Sequence, residues 1–377
     1  MTVYIASKED ENKLLKTLEK REDVEAMRIK RYLVMPDLSR TIGSPLKEIV
    51  DRTLNVKSLK GFDVIEVPEI ISTNILFDLF NMPEGHPARS KSDTYYVDSE
   101  HVLRTHDTVF WYYYLNLSEI KERIKKNESL GVICHGKVYR KDEIDRRHMN
   151  VFHQMGGLYL TPDSKQTTTP DDLKNVLSEI ARSIFGDEVQ FRFYDHTFPY
   201  PDPSFEMEAL INGQWIEMLG SGLPRKIVLS NLGLNGYNGW AFGFGLERLA
   251  IASMDLPDIR LLWSDDKRVK KQLRLGNKFV EVSKYPPIVR DISFVVHKTF
   301  TPNDYFDTVR ETAPNLVEQV ELLDKYENIE KFGKDKISYA YRITYRSLGR
   351  TLTNTEVDSI HKKLEEITAK NFEAVVR

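Results

Sequence analysis

Between Gly131 and Leu160, two apolar-rich runs flank a loop crowded with charged side chains. The runs, Val132–Tyr139 and Val151–Leu160, predict the two strands of a hairpin. Alternate residues of a strand share one face, and the second run places three candidate ligand-facing residues together: Phe152, Gln154 and Gly156. Arg140 stands at the mouth of the loop, so the hairpin could hold an anion. An ordinary surface hairpin with a solvated loop fits the same pattern.

Length and composition narrow the class of protein. A chain of 377 residues exceeds the usual size of one domain and predicts two. The formal net charge of −3 means that a polyanion must meet a local basic patch. The single cysteine, Cys134, excludes an internal disulfide and a cysteine-based zinc cluster. No apolar run approaches the roughly 20 residues of a membrane span, and the N-terminal residues resemble neither a signal nor a transit peptide, so we expect a soluble, intracellular protein.

The predicted elements fall into a larger and a smaller unit. Residues 8–31 have helical periodicity, and strands are predicted at 189–194, 204–211 and 214–219, the last two joined by a tight Asn212-Gly213 turn. Antiparallel strands with helices around them define an α+β domain. Beyond residue 284 the predicted order β-α-β-β-α, with a closing strand near Phe372–Val376, is that of a ferredoxin-like module.

The segment GFGLER (Gly243–Arg248) joins a glycine-rich stretch to a predicted helix. Glycines let a backbone pass close to a ligand, and Arg248 falls in the first helical turn, where the ligand could be an anion. Glycine-rich strand-to-helix turns are common, so the segment alone defines no site.

Three glutamates lie on neighbouring predicted strands: Glu206, Glu208 and Glu217. Carboxylates facing one cleft could hold Mg²⁺, which prefers oxygen ligands and bridges phosphates. Exposed strand glutamates explain the pattern equally well.

Other chemistry-bearing residues leave the function open. His106, His148 and His153 lack metal-type spacing, and the aromatic run at 110–114 fits a helix face or core better than a base-stacking platform. Phe198 and Tyr200 fit a core as well as a pocket. No catalytic triad order, Walker loop or dinucleotide fingerprint is present. The residues alone therefore indicate a nucleotide-using enzyme with an arginine-rich cleft.

The hairpin and GFGLER resemble motifs 2 and 3 of class II aminoacyl-tRNA synthetases. A longer resemblance, to single-chain, mitochondrial-type phenylalanyl-tRNA synthetases, covers most of the chain. It rests on segments in order: GFDVIEVPEI, HPARSKSDTYYV, LRTH, VYRKDEIDRRHMNVFHQ, FPYPDPSFEME, WIEMLGSGL and WAFGFGLERLAIASMDLPDIRLLWS. KYPPIVRDISFVV and YRITYRSLGRTLTNTEV resemble the family's ferredoxin-fold anticodon-binding domain.

The resemblance implies a fold, an organisation and an activity. We expect an α+β catalytic domain with a class II antiparallel sheet and surrounding helices, followed by the ferredoxin-like domain. The implied parts are an N-terminal helical appendage (1–36), the catalytic domain (37–264), a basic linker (265–283) and the anticodon-binding domain (284–377). The implied activity is phenylalanine–tRNA ligation, in which ATP activates phenylalanine to its adenylate and the acyl group passes to the terminal ribose of tRNA(Phe). Mg²⁺ is the implied metal, a monomer the implied state, and the mitochondrial matrix or cytoplasm the compartment, with the family type favouring mitochondria.

The resemblance also implies residue roles. On the ATP side these are Arg140 and Arg248 as catalytic phosphate-binding residues, Asp142 at the adenine amine, His148 at the outer phosphates, Phe152 stacked on adenine and Glu217 on Mg²⁺. On the amino-acid side they are His106, Thr108, Trp111, Gln154 and Gly156 near the head group, Phe198 and Tyr200 beside the ring, and Ala241 at the pocket floor. The basic run supplies candidate tRNA contacts, although a solvated helix face is equally consistent: Lys267, Arg268, Lys270, Lys271 and Arg274.

Several positions depart from the family pattern. After T-H the family has T-S-x-x-Q, whereas this chain has Asp107, Thr108 and, for the glutamine, Trp111. Gly156 replaces the glutamate of H-Q-x-E, so two partners of the substrate ammonium are missing, each worth about 1–3 kcal/mol if nothing replaces it. These departures leave two alternatives open: a ligase for another aromatic or non-standard acid, and a non-catalytic tRNA-binding paralogue.

Overall fold

The computed structural model describes residues 2–141, 146–197, 200–300 and 302–377. The chain forms two compact units that divide between Val280 and Glu281. Strands β1–β10 lie in the first unit: Val3–Ile5, Asp63–Glu66, Ile70–Ser72, His101–Leu103, Leu130–Tyr139, Val151–Pro162, Phe191–His196, Pro201–Ile211, Gln214–Pro224 and Tyr237–Gly245. Strands β11–β14 lie in the second: Ile288–His297, Val317–Tyr326, Lys336–Tyr345 and Val375–Val376.

Helices α1–α10 belong to the first unit: Glu9–Glu19, Val24–Leu33, Pro45–Leu54, Thr73–Leu76, Phe110–Leu115, Ser118–Lys125, Pro170–Phe185, Lys226–Asn231, Leu246–Met254 and Lys267–Lys270. Helices α11–α13 belong to the second: Pro302–Thr312, Ile329–Phe332 and Asn354–Asn371. The helix starts follow local chemistry. Pro170 opens α7 behind a Thr169–Asp172 capping box, and Ser44 caps α3 just before Pro45.

An eight-stranded sheet in the order β1-β2-β5-β6-β10-β9-β8-β7 forms the centre of the first unit. Strands β1, β2 and β5 run parallel, and every pairing from β5 to β7 is antiparallel. Asn212 and Gly213 both have positive φ, at 50° and 78°, in the turn between β8 and β9. That geometry belongs to a tight hairpin turn, as the Asn-Gly pair predicts.

Apolar side chains cover both the sheet and the N-terminal helices. One core joins α5 and α6 to the strands through large residues such as Phe80, Trp111 and Tyr114. A second core joins Ile29 and Tyr32 of α2 to Tyr139 of β5. The N-terminal helices therefore pack against the strand that leads to Arg140. Strand β1 precedes the predicted helical segment and was not predicted, because a strand of three residues is too short to show an alternation of apolar and polar residues.

The second unit has the order β11-α11-β12-α12-β13-α13-β14, and its sheet runs β12-β13-β11-β14. Apart from the one-turn α12, this is the β-α-β-β-α-β arrangement of a ferredoxin-like fold. Thr353 accepts the Glu356 N–H at the start of α13. The predicted α+β fold with a ferredoxin-like second unit is confirmed. Across the described ranges, no helix is both long and apolar enough to span a bilayer.

Candidate active site

The hairpin of β5 and β6 fixes the position of Arg140. The two strands pair from Leu130 with Leu160 to Tyr139 with Val151, so Arg140 is the first residue beyond the ladder. Its N–H donates to the Asn150 carbonyl at 3.1 Å, and its Nε donates to the Thr105 carbonyl at 3.0 Å. The guanidinium carbon lies 5.3 Å from the centroid of the Phe152 ring. Backbone bonds and a cation–π contact thus orient a positive charge on the predicted face of the hairpin.

His106 follows the residue that anchors Arg140. Its ring packs edge-on against Phe80 with centroids 5.9 Å apart, and within the described part of the chain neither ring nitrogen has a hydrogen-bond partner. Burial, together with the nearby charge of Arg140, lowers the pKa of His106 to about 3. The imidazole is therefore neutral at physiological pH and can bind a ligand only as a neutral hydrogen-bonding group.

Asp107 lies beside the position that the family pattern assigns to a glutamate. The residue is 4% exposed, and its N–H donates to Gln154 Oε1 at 3.0 Å. A Cβ built on Gly156 would lie 2.4 Å from Asp107 Oδ2, so the carboxylate occupies space that only glycine leaves open. Among the described residues Oδ2 has no hydrogen-bond partner. Burial raises the pKa of Asp107 to about 7 although Arg104 and Arg140 oppose the shift.

Glycines line up across the middle of the sheet next to this carboxylate. Gly156 of β6 pairs with Gly243 of β10, and Gly243 pairs with Gly220 of β9. Asp107 Oδ1 lies 3.7 Å from the position of a Cβ on Gly243. Because directly paired residues share a face, the row contributes no side-chain atoms to that face of three strands, and we call this strip the trench.

The end of β10 presents Arg248 to the same region. Gly245 pairs with Gln154, and α9 starts at the next residue, which places Arg248 in its first turn. Arg248 Nη1 lies 2.5 Å from Glu217 Oε1 on β9, with side chains 49% and 45% exposed. A cation and a carboxylate that both remain accessible can each contact a ligand that carries phosphates.

The three strand glutamates do not form a metal cluster. Glu208 accepts a hydrogen bond from Arg192 Nε at 2.9 Å, Glu206 lies 3.4 Å from His196 Nδ1, and Glu217 pairs with Arg248. Over the described ranges no group of three or more His, Cys, Asp or Glu could hold a metal ion. Mg²⁺ usually takes one or two protein carboxylates and completes its shell with water and phosphate oxygens. The accessible Glu217 fits an ion that arrives with a nucleotide.

On the opposite face of β6, His153 is held rigidly. Its Nε2 accepts the Leu38 N–H at 2.9 Å, so the proton lies on Nδ1 and is donated to Glu247 Oε1 at 2.6 Å. Glu247 also accepts the His153 backbone N–H at 2.9 Å and is 3% exposed. This buried junction locks the start of α9 to β6, and it thereby sets the direction of Arg248.

An aromatic cluster lies beside the trench. Tyr200 packs edge-on against Phe80 and Trp111, with centroids 6.0 and 5.9 Å apart, and Thr108 Oγ1 donates to Tyr200 Oη at 3.4 Å. Trp111 is 1% exposed, and Ala241 is buried in the same core. Within the described ranges the Trp111 indole N–H has no partner. Trp111 therefore adds an apolar wall where the family pattern has a polar amide.

The structure brings together most of the predicted residues that it describes. Arg140 contacts Phe152 and is bonded to Thr105, the residue before His106. Gln154 is bonded to Asp107, the residue after His106, and it pairs with Gly245, three residues before Arg248. His148 is exposed in the segment before β6. Asp142 and Phe198 lie outside the described residues.

The basic run lies at the end of the first unit. Val269 and Leu273 are buried, whereas Lys267, Lys270, Lys271 and Arg274 are exposed. Arg268 Nη2 lies 2.6 Å from Asp266, and Lys270 Nζ lies 2.8 Å from Asp265. Part of the positive charge is thus balanced by neighbouring carboxylates.

Two important residues were missed by the sequence reasoning. Asp107 appeared only as a departure from the family pattern, and Glu247 only as a letter of GFGLER. The sequence signal for Asp107 was a pair of differences from the family pattern: a carboxylate is present at position 107, where the family has threonine, and absent at position 156, where the family has glutamate. Glu247 left no signal, because a buried glutamate at a helix start resembles an ordinary first-turn acid.

Two family models match this chain. Residues 33–273 match the family described as tRNA synthetases class II core domain (F), and residues 283–377 match the family described as ferredoxin-fold anticodon binding domain. Together they define the class: a class II synthetase core followed by an anticodon-binding fold.

Curated relatives narrow the class further. The phenylalanine–tRNA ligase, chloroplastic/mitochondrial, of Arabidopsis thaliana is 39% identical over 83% of this chain and 72% of its own length. The mitochondrial phenylalanine–tRNA ligase of Mus musculus is 36% identical over 80% of this chain and 72% of its own length. That of Saccharomyces cerevisiae is 30% identical over 88% and 87%. The chain belongs to the phenylalanine–tRNA ligase family of class II synthetases, and the resemblance drawn from the sequence is confirmed.

Proposed function

We propose that the chain is a phenylalanine–tRNA ligase that uses ATP to form phenylalanyl adenylate and transfers the acyl group to tRNA(Phe). One observation carries the proposal: Arg140 follows β5 and Arg248 follows β10, the two strands that flank β6, and both strands end opposite the first residues of β6. An apolar aromatic cluster packs against His106 and Thr108 in the same unit. Two fixed guanidinium groups suit a polyphosphate, and the cluster suits an uncharged ring.

In the first step, a phenylalanine carboxylate oxygen attacks the α-phosphorus of ATP, and the bond to the bridging oxygen of pyrophosphate breaks. Arg140, oriented by its Nε bond to Thr105, would bind the α-phosphate and the attacking carboxylate. Phe152, against the same guanidinium, would stack on adenine. Catalysis here depends on holding the reactants in line and on neutralising charge that develops on oxygen.

The outer phosphates would be held by Arg248 and by His148 from the exposed segment before β6. Glu217 would share Mg²⁺ with them, and the ion supplies charge neutralisation on the leaving pyrophosphate when bound. The ion pair of Glu217 with Arg248 keeps both side chains at the same edge of the site. Asp142, by resemblance, would bind the adenine amine.

The amino-acid ring would lie between Phe198 and Tyr200, above Ala241. Tyr200 already makes edge-to-face contacts with two aromatic rings, a geometry worth about 0.5–1.5 kcal/mol beyond burial. His106, Thr108 and Gln154 would face the head group, with His106 neutral because of its low pKa. Trp111 and Gly156 would shape the space around it.

In the second step, the 2′-hydroxyl of the terminal ribose of tRNA attacks the carbonyl carbon of the adenylate, AMP leaves and the hydroxyl proton is released. The ferredoxin-like unit would bind the anticodon, and the basic run would bind tRNA phosphates. We also infer that the enzyme acts as a single chain in an organelle, since the three relatives described above are named as organellar phenylalanine–tRNA ligases. Light scattering of the purified protein checks the single-chain state.

The proposal is tested by charging. The purified chain, ATP and Mg²⁺ are incubated with tRNA(Phe) or a second tRNA and each radiolabelled amino acid in turn. We expect acid-stable phenylalanine on tRNA(Phe) alone. Charging with a different amino acid would support the ligase for another acid, and tRNA binding without any charging would support the non-catalytic paralogue.

A further inference from the structure

We propose that Asp107 is the carboxylate that binds the α-ammonium group of the amino acid. The absence of a side chain at Gly156 leaves the space that this carboxylate occupies. The inference rests on the proposed function and assigns its amino-group site to a residue on a different element. In the family pattern this carboxylate comes from β6 itself, at position 156. Here the turn before α5 supplies it.

Space and position support the assignment. Asp107 Oδ2 lies where a Cβ on Gly156 would clash, and Oδ1 lies 3.7 Å from the corresponding point on Gly243. The carboxylate therefore reaches across the sheet into the trench between β6 and β10. Its own backbone N–H is bonded to Gln154, a predicted head-group residue, so both groups border the same space.

The carboxylate lacks a partner that would explain it as a structural acid. Within the described ranges Oδ2 has no hydrogen-bond partner. Arg104 instead donates its Nε to the Lys137 carbonyl, and Arg140 donates its Nε to the Thr105 carbonyl. A buried and unpaired carboxylate is costly for a folded protein, so a ligand cation is a reasonable role for it.

The charge arrangement suits an amino acid. Arg140, next to Thr105, would meet the substrate carboxylate, while Asp107 would meet the ammonium. A zwitterion can satisfy both at once because its two charged groups are attached to one carbon. A deaminated acid would leave the Asp107 carboxylate uncompensated, which disfavours such an acid as substrate.

The first test compares Asp107→Asn with the wild type in ATP–pyrophosphate exchange. Two competitive inhibitors test the two charged groups of the substrate one at a time. Phenylalaninol has the ammonium group but no carboxylate, and 3-phenylpropanoate has the carboxylate but no ammonium group. We expect Asp107→Asn to raise the KM for phenylalanine and the inhibition constant of phenylalaninol by about tenfold or more. The KM for ATP and the inhibition constant of 3-phenylpropanoate should stay within about twofold of wild type. Equal changes for both inhibitors, or none, would overturn the assignment.

The second test moves the carboxylate to the other strand. Gly156→Glu alone should disable the protein by clashing with Asp107, and Asp107→Ser alone should weaken phenylalanine binding. The double variant Asp107→Ser/Gly156→Glu should recover phenylalanine binding relative to both single variants, because the new glutamate enters the vacated space. If the double variant folds and binds phenylalanine no better than Asp107→Ser, the proposal fails. If Asp107→Asn does not fold, the comparison of the double variant with Asp107→Ser tests the role of Asp107 instead.

The wild-type assay separates this inference from the proposed function. Absence of exchange by wild-type protein with any acid contradicts the proposed function. Exchange by the wild type with phenylalanine, together with an unchanged Asp107→Asn variant, contradicts only the role of Asp107.

Discussion

At Asp107, burial and function act against stability. The side chain is 4% exposed, and its pKa is raised to about 7. Among the described residues, the charged and titratable groups near it are Arg104, Arg140, His106, Cys134 and Tyr200. Burial puts the pKa of His106 near 3 and that of Cys134 near 12, and it raises the pKa of Tyr200, so Asp107 is the member of this group that titrates around neutral pH.

This titration predicts a pH-dependent stability. An unfolded aspartate has a pKa of about 3.9. Between about pH 4 and 7 the folded chain retains a proton that the unfolded chain has released, so the free energy of unfolding falls as the pH rises. Asp107→Asn should therefore be more stable than wild type at pH 8, by on the order of a few kcal/mol, and the gap should close towards pH 4. Urea unfolding across this range measures it; a gap independent of pH would contradict the shifted pKa.

Arg248 should matter for activity far more than for stability. Its ion pair with Glu217 is half exposed, and such pairs contribute about 0.2–1 kcal/mol. Arg248→Ala should leave the thermal midpoint nearly unchanged. It should lower kcat/KM for ATP in pyrophosphate exchange by about tenfold or more, because a charged partner of phosphate is worth about 1.5–3 kcal/mol.

A matched control for Arg248 is available on the same sheet. Arg192 on β7 pairs with Glu208 at 2.8 Å and is 43% exposed. Arg192→Ala removes a similar ion pair and should leave the exchange rate as in wild type. Equal losses in the two variants would mean that Arg248 acts only through folding.

Local sequence patterns identify some residues of the site but not the contact between Asp107 and Gly156. The alternation of β6 is enough to group Phe152, Gln154 and Gly156, and glycine chemistry is enough to notice GFGLER. The partnership of Asp107 with Gly156 joins positions 49 residues apart by number. It depends on how the turn before α5 crosses the sheet, and no local pattern encodes that crossing.

At the scale of elements, the site depends on how α9 is fastened to β6. Removal of Glu247 leaves the His153 backbone N–H and ring N–H without their acceptor in a buried position. Glu247→Ala should therefore lower the free energy of unfolding by about 2–5 kcal/mol. It should also impair pyrophosphate exchange, because the first turn of α9 carries Arg248.

The comparison variant for Glu247 is Glu122→Ala on α6. Glu122 pairs with Lys125 at 2.6 Å, but both side chains are mostly exposed. That change should shift the free energy of unfolding by no more than about 0.5 kcal/mol. Similar unfolding curves for the two variants would contradict the role of the buried junction.

Elements differ in how readable they are from sequence. The Asn212-Gly213 turn and the hairpin of β5 and β6 carry strong local signals, and both form as predicted. Strand β1 has three residues and pairs with β2, so only long-range contact defines it. The parallel pairing of β2 with β5 also depends on contact between distant segments, so no local sequence pattern predicts it.

At the scale of the whole molecule, the net charge of −3 requires tRNA to meet a local surface. The exposed cations of the basic run are the candidates: Lys267, Lys270, Lys271 and Arg274. Their replacement by glutamine should weaken tRNA charging and reduce its salt dependence by up to about 0.9 in logarithmic slope per lost phosphate contact. Pyrophosphate exchange, which needs no tRNA, should be unchanged.

Other cations provide the control for that surface. Replacing Lys121, Lys125 and Lys126, in and just after α6, also lowers the positive charge of the first unit. If these changes weaken charging as much as those in the basic run, total charge rather than a defined surface governs tRNA binding. Loss of pyrophosphate exchange in the basic-run variant would indicate destabilisation instead.

With Asp107 at its amino-group site, the chain should still select phenylalanine. The most direct measurement is the rate of ATP–pyrophosphate exchange by the wild-type chain with each standard amino acid and with 3-phenylpropanoate. We expect the highest kcat/KM for phenylalanine and negligible exchange with the deaminated acid, because Asp107 requires an ammonium partner. A higher value for another acid, or for 3-phenylpropanoate, would contradict this expectation.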